Sequence, residues 1–280
     1  MDALPPLREV IAAHGLRTIK GLGQHFLLDL NLTARIARAA GDLKSFAVFE
    51  VGPGPGGLTR TLLAAGAPLV LAIERDERCV AALAPLAQAC PQLHVIPGDA
   101  LDADPLALAR QAGWSGPLKI VANLPYNIAT ALILHWLDKP QEIAGMTLLI
   151  QKEVAERLSA APRTKAYGRL SILTQWLCEV ATAFDIAPQA FTPPPKVTST
   201  VVQLIPRATP LAPAPRAALE TVTKAAFGQR RKMLRVSLKT LGMDPLPLLA
   251  ETGITPTARA EELDVAAFCA LARAYAATRA

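Results

Sequence analysis

Between residues 47 and 150, short apolar runs alternate with helical patterns, and this alternation leaves few architectures open to the chain. Residues 47–51, 69–73, 93–96, 118–122 and 146–150 read as buried strands, because a strand covered on both faces loses its polar–apolar alternation. Between them, 58–65, 80–89, 105–112 and 129–137 read as helices. A succession of βαβ units predicts an α/β fold, a mostly parallel sheet with helices on both faces. Helices are expected at 152–158 and 170–178. Strands at 180–186 and 200–205 would then add an antiparallel hairpin at the sheet edge. Pro206, Pro210, Pro213 and Pro215 predict a linker. From about residue 216 the chain is helix-forming, with breaks at Gly242, Pro245, Pro247, Gly253 and Pro256, which predicts a small all-α domain. The expected domains are therefore 1–206 and 207–280.

A chain of 280 residues that is 51% hydrophobic can bury a full core. No apolar run approaches the roughly 18 residues needed to span a bilayer, and Asp2, Arg8, Glu9, His14 and Arg17 occupy the place of a secretory signal. Cys79, Cys90, Cys178 and Cys269 are scattered without a C-x-x-C pair, which fits a reducing compartment and gives no zinc or disulfide framework. A soluble cytoplasmic protein is expected, with no membrane partner and no obligate protein partner. The net charge of +6 is unevenly spread. Residues 1–206 carry 18 Lys and Arg against 17 Asp and Glu, whereas residues 207–280 carry 11 against 6. A short tail holding the positive excess suits either a polyanion-binding module or a solvated basic face.

Glu50-Val51-Gly52-Pro53-Gly54-Pro55-Gly56-Gly57-Leu58-Thr59 closes the first strand of the sheet and opens a helix. That position is the mouth of the ligand crevice in a doubly wound sheet, and glycines there admit a ligand close to the backbone. Gly52, Gly54 and Gly57 also satisfy G-x-G-x-x-G, but Pro53 and Pro55 each delete an N–H that a pyrophosphate cradle would use. A nucleotide cofactor without phosphates, S-adenosyl-L-methionine, tolerates that loss. Glu74 ends the second strand, where a carboxylate can accept from ribose hydroxyls, with Asp76 as the competitor. Asp99 follows the third strand and can accept from an adenine amine. Glu50 either orients the loop, caps it, or faces the amino-acid end of the cofactor.

Asn123-Leu124-Pro125-Tyr126 follows the fourth strand. An adenine N6 amine is a poor nucleophile because its lone pair is delocalised, yet it needs no strong base. The Asn123 side-chain oxygen and the Leu124 carbonyl can accept from its two N–H groups, Pro125 fixes the turn, and Tyr126 offers a face to an unstacked base. The chemistry is an in-line transfer governed by positioning, with neither metal nor covalent intermediate expected. Phe191-Thr192-Pro193-Pro194-Pro195-Lys196-Val197 joins the two late strands. Phe191 either stacks on the base or belongs to the core, and Lys196 is placed to meet a phosphate.

Together these segments resemble the ribosomal RNA adenine N6,N6-dimethyltransferase family, its bacterial small-subunit members most closely. The resemblance runs from about Lys20 to Phe268. It rests on Leu22-Gly23-Gln24-His25-Phe26-Leu27-x-Asp29, the loop from Glu50 to Thr59, Asn123 to Tyr126, Phe191-x-Pro193-x-Pro195-Lys196-Val197-x-Ser199, and Phe227-x-Gln229-Arg230-Arg231-Lys232. It implies a Rossmann-like class I methyltransferase fold with a C-terminal helical domain. The implied activity is dimethylation of two adjacent adenosines in a hairpin loop near the 3′ end of small-subunit (16S) rRNA, within an immature 30S particle late in assembly. By motif match, His25 and Leu27 would line the cofactor pocket with Gly52, Glu74, Asp99 and Asn123, and the segment around Gln24 would fold over the methionine. His25 stands where the family often has asparagine. Arg230, Arg231, Lys232 and Arg235 would bind RNA, and Arg231, Arg235 and Lys239 at i, i+4, i+8 would line one helix face, opposite Leu234, Leu238 and Leu241. Rival readings are a resistance-type large-subunit rRNA adenine methyltransferase, a DNA adenine methyltransferase, and an assembly factor acting by binding. Leu124, where DNA enzymes usually have a second proline, weakens the DNA reading.

Overall fold

The computed structural model describes residues 5–16 and 23–279. Among these residues nine strands follow in chain order: β1 Phe26–Leu27, β2 Ala47–Val51, β3 Leu69–Glu74, β4 Leu93–Pro97, β5 Leu118–Asn123, β6 Ile143–Gln151, β7 Cys178–Ile186, β8 Phe191–Thr192 and β9 Ser199–Pro206. Seven of them form one sheet in the order β4-β3-β2-β5-β6-β9-β7, and β1 pairs with β8 in a separate ribbon. The β2–β3, β3–β4, β2–β5 and β5–β6 pairings are parallel, and β6–β9 is antiparallel. From β2 the chain builds outward through β3 and β4, then returns to β5 on the other side. The order therefore reverses between β2 and β5, and the carboxyl ends of those two strands frame the crevice where such sheets bind ligands.

Every residue of β2 and β3 is buried, as the unbroken apolar runs require. Three of the covering helices start at an aspartate whose side chain accepts a backbone N–H of the first turn: Asp29 before Leu30–Ala39, Asp76 before Glu77–Ala89, and Asp104 before Pro105–Gln111. The helix Leu30–Ala39 and the β1–β8 ribbon are additions to the expected elements.

The chain divides into two compact units. One comprises the residues up to Ala155 with Ala181–Pro206, and the other Glu156–Val180 with Arg207–Ala280. The boundary at 206 matches the proline-rich stretch, but Glu156–Val180 groups with the C-terminal residues. Its helix Arg169–Leu177 buries Ile172, Leu173, Trp176 and Leu177. The expected linker is pinned to it, because Arg207 N donates to Leu177 O at 2.8 Å, Leu211 N to Trp176 O at 2.8 Å, and Trp176 Nε1 to Ala212 O at 2.7 Å. With these bounds the charge separates further. The second unit carries 15 Lys and Arg against 8 Asp and Glu, and the first 14 against 15. No helix among the described residues is long and apolar enough to cross a membrane.

One expectation within the second unit needs correction. Arg231, Arg235 and Lys239 do not share a continuous helix: a turn closed by Lys232 N donating to Gln229 O precedes a helix of only Leu234–Ser237, and a 3₁₀ turn Leu238–Leu241 follows. The backbone N–H groups of Leu234 and Arg235 bond Ala258 O and Pro256 O, so carbonyls of a distant segment satisfy the donors at this helix start. The apolar side is as expected, with Leu234, Leu238 and Leu241 buried and Arg231, Arg235 and Lys239 exposed.

Tyr167 of this unit is fully buried, edge-on to Phe227, which stacks on Phe268. Its hydroxyl has no hydrogen-bond partner among the described residues, and burial raises its pKa. Removing a buried polar atom that makes no bond costs nothing. Tyr167→Phe should thus match or exceed the wild-type thermal midpoint, and a loss of more than about 1 kcal/mol in denaturant unfolding would show that the hydroxyl is bonded.

Candidate functional site

The glycine loop is held from two sides. Glu74, at the end of β3 and 6% exposed, accepts the N–H of Gly54 on one carboxylate oxygen at 3.0 Å and that of Asp76 on the other at 2.9 Å. Each oxygen keeps a second lone pair for a ligand. Burial raises its pKa against these bonds. From the other side β1 lies on the loop. A Cβ on Gly57 would stand 2.6 Å from the Leu27 carbonyl, and one on Gly54, at φ +55°, would stand 2.9 Å from the Phe26 ring. Glycine at these positions is what lets the N-terminal segment close on the crevice.

The strand-end acids differ in state. Asp76 caps its helix and is bound by Arg78 at 2.6 Å and by Gln24 at 3.0 Å, and the Arg78 hydrogen bonds hold its pKa down at about 2. It is therefore a structural carboxylate, while Glu74 lines the crevice. Asp99, also in the crevice wall, accepts from Leu101 N and pairs with Arg75, both at 3.0 Å. Glu50 lies in β2 and is 1% exposed, with Oε2 unpartnered among the described residues. Desolvation, opposed by the nearby Thr59 hydroxyl and aided by the Glu74 charge, pushes its carboxyl up to about 8.

At the end of β5, Leu124 N donates to Leu149 O at 3.0 Å, which continues the ladder with β6 into the turn. Asn123 Nδ2 donates to the His25 carbonyl at 3.1 Å. That bond settles the orientation of the amide and leaves Oδ1 as an acceptor. Among the described residues nothing donates to the Leu124 carbonyl. Tyr126 is fixed by a 2.6 Å bond between its hydroxyl and Ser199 Oγ, and the His25 ring stacks on it with centroids 5.4 Å apart. His25 Nδ1 lies 2.8 Å from Pro193 O. A carbonyl only accepts, so Nδ1 carries a proton. His25 thus joins the N-terminal segment, the Asn123–Tyr126 turn and the loop after β8.

Gln24, His25, Leu27, Gly52, Gly54, Glu50, Glu74, Asp99, Asn123, Leu124, Pro125 and Tyr126 all line one cavity. Phe191 does not join them. It is 2% exposed in β8, opposite Leu27 of β1, within the core formed with Leu149, Ile186 and Val201, so of its two readings the structure selects packing. One face of Tyr126 is taken by His25, which leaves the other for a base. Lys196 is exposed. Leu22 of the first motif lies outside the described residues. Phe26 against Gly54 and Ser199 under Tyr126 stand in the motifs but were given no role by sequence, because the two-residue strand that places Phe26 has no periodicity to read and Ser199, at the start of β9, meets Tyr126 from 73 residues away.

Titration of Glu50 gives a direct check. An acid with a folded pKa of about 8 against an ordinary 4.5 favours the protonated fold, so stability falls as pH rises between those values and levels off above. Without ligand, the stability of Glu50→Gln relative to wild type should therefore grow by roughly 2 kcal/mol or more between pH 5 and pH 8. Parallel curves of thermal midpoint against pH would mean that Glu50 is not perturbed.

A glycine loop at a crevice mouth, buried carboxylates beside it and uncommitted oxygens in an Asn-Leu-Pro-Tyr turn fit the transfer of a methyl group to a base amine. The fold and site define a Rossmann-like methyltransferase of the amino group of a nucleobase. Residues 16–277 match the family model described as ribosomal RNA adenine dimethylase, and the chain belongs to that family, whose methyl donor is S-adenosylmethionine. It is 58% identical over its full length to "Ribosomal RNA small subunit methyltransferase A" of Azorhizobium caulinodans, of which it covers 96%. It is 60% identical over 98% of its length to the protein of the same name from Paramagnetospirillum magneticum, again covering 96%. Among solved structures, a dimethyladenosine transferase from Plasmodium falciparum superposes with a TM-score of 0.75 at 26% identity, over 88% of this chain and 96% of that one. The 23S rRNA methyltransferase ErmE gives 0.66 at 29% identity, over 90% and 99%.

Proposed function

We propose that this enzyme transfers methyl groups from S-adenosylmethionine to the N6 amines of two adjacent adenosines in the 3′-terminal hairpin loop of small-subunit rRNA, twice on each, within an immature 30S particle late in assembly in the cytoplasm. The observation that carries the chemistry is the bond from the Asn123 amide nitrogen to the His25 carbonyl, which keeps the amide oxygen as an acceptor in the crevice that Leu124 also lines. The names of the 58% and 60% identical relatives support the small-subunit target.

The crevice suits the donor on its own terms. Glu50 presents a buried oxygen that lacks a hydrogen-bond donor, which an ammonium group would supply, and Glu74 and Asp99 keep acceptor capacity for hydroxyls and an amine. When bound, S-adenosylmethionine supplies an electrophilic methyl on a sulfonium. Asn123 Oδ1 and the Leu124 carbonyl accept from the two N6–H groups, which fixes the direction of the nitrogen lone pair and stabilises the positive charge that grows on it. Neither acceptor is ionised, so the proton shed by the methylated nitrogen passes to solvent while the donor leaves as a neutral thioether, and a monomethylated amine with a single N–H can still be held by one of them. Tyr126, locked by Ser199, presents its open face to the unstacked base. The first unit performs this chemistry, and the second, with its positive excess, holds RNA phosphates.

A large-subunit target rests on the likeness to ErmE, at 29% identity well below the small-subunit relatives. An assay decides between them. Purified protein given labelled methyl donor should modify isolated small subunits from cells lacking this protein, with dimethyladenosine at two adjacent positions by mass spectrometry, and leave large subunits unlabelled. Label in the large subunit alone, or in neither, would end this reading. Asn123→Ala should lower the transfer rate by about a hundredfold or more while leaving subunit binding nearly unchanged.

A further inference from the structure

The turn at residues 161–165 carries an arginine in a conformation that arginine disfavours. Arg163 has φ +69°, and among the described residues it is the only non-glycine with positive φ. In the left-handed region the Cβ of such a residue crowds the following carbonyl oxygen. Its side chain is 76% exposed, and its pairing with Glu262 is at 4.0 Å, the outer limit of an ion pair, so it contributes little to stability. Lys165 and Arg169 beside it are exposed too.

The turn is fixed in place all the same. Arg163 N donates to Glu261 O at 2.7 Å. Arg230 Nε donates to Glu261 Oε2 at 2.8 Å, and its Nη2 to Thr164 O at 3.0 Å, so one guanidinium ties the turn to the segment around Glu261. Arg230 is half-buried in this role, while Arg231, Lys232 and Arg235, which follow it directly, are exposed. Two of the five guanidinium N–H groups are spent on this tie, and the Glu261 carboxylate pairs the charge of a side chain that is only 35% exposed, so Arg230 attracts a phosphate less than its exposed neighbours do.

We propose that the turn at 161–165 belongs to the RNA-binding face of the second unit, with Arg163 and Lys165 contacting phosphates, and that Arg230 is the latch that positions this turn instead of a phosphate contact. The proposal rests on the reading of rRNA as the partner. It enlarges the basic surface beyond the C-terminal segment to a stretch that sequence assigned to the catalytic domain.

Binding to small-subunit particles from cells lacking this protein, measured across salt concentrations, tests both halves. Arg163→Asn with Lys165→Gln removes two charges, and asparagine tolerates left-handed backbone. The pair should weaken binding about tenfold and reduce the slope of log K against log salt by about 1.5. An unchanged slope would remove the turn from the RNA-binding face. Glu261→Gln weakens the latch, because a neutral amide oxygen holds Arg230 Nε less strongly than a carboxylate does, and it deletes a negative charge. If Arg230 positions the turn, this variant binds RNA more weakly, speeds amide exchange at Arg163, and adds nothing further to the double variant. If Arg230 meets phosphate directly, the freed guanidinium makes Glu261→Gln bind as tightly as wild type or tighter, and the latch is refuted. Failure of the wild type to bind these particles at all would instead count against rRNA as the partner, and methyl-donor affinity with thermal midpoints controls for folding.

Discussion

The hydrogen bond from the Asn123 amide to the His25 carbonyl is the point on which the site turns. A primary amide can present either its oxygen or its nitrogen to a neighbour, and only the oxygen suits an amine. His25 removes the choice by accepting from Nδ2. The carbonyl of His25 is in turn placed by its ring, held between Tyr126 and Pro193 O, and by the β1–β8 ribbon that begins at the next residue. The ribbon can lie where it does because Gly57 and Gly54 have no side chains to obstruct Leu27 and Phe26. Chemistry at the end of β5 thus depends on packing at the end of β2, and the topological reversal between those strands brings the two together.

Charge is handled differently in the two units. In the first, the acids at the strand ends are neutralised, bonded or buried: Asp76 by Arg78, Asp99 by Arg75, Glu74 by backbone N–H groups, Glu50 by a raised pKa. A crevice arranged this way is polar without a large field of its own, which suits positioning of a neutral base. In the second, an excess of basic side chains is left facing solvent, with only part of it drawn into internal pairs such as Arg230–Glu261. Such a surface attracts a polyanion without reading its sequence.

The parallel sheet was legible because strands buried on both faces are written as apolar runs, and each of those from 47–51 to 146–150 lies within an observed strand. The helices between them match to within a few residues for the same reason. Much of the crevice was legible too, since the glycine loop, Glu74, Asp99 and Asn123 each sit at a strand end. What stayed hidden depends on contacts far apart in sequence. The β1–β8 ribbon is two residues long on each side and has no period. Phe191 looks the same in a proline loop whether it faces a base or the core. The spacing of Arg231, Arg235 and Lys239 suggests a helix, but the N–H groups of Leu234 and Arg235 are satisfied by carbonyls at 258 and 256, so the helix starts later. The grouping of 156–180 with the C-terminal residues likewise rests on the bonds of Leu177 and Trp176 to residues thirty positions or more away.

The central claim concerns which atoms hold the reacting amine, and a crystal structure with an unreactive methyl-donor analogue and an adenosine-bearing RNA hairpin observes it directly. Asn123 Oδ1 and the Leu124 carbonyl should each lie about 3 Å from the adenine N6, with Nδ2 still on the His25 carbonyl. An amine facing Nδ2, or held by other groups with the His25 bond broken, would contradict the account.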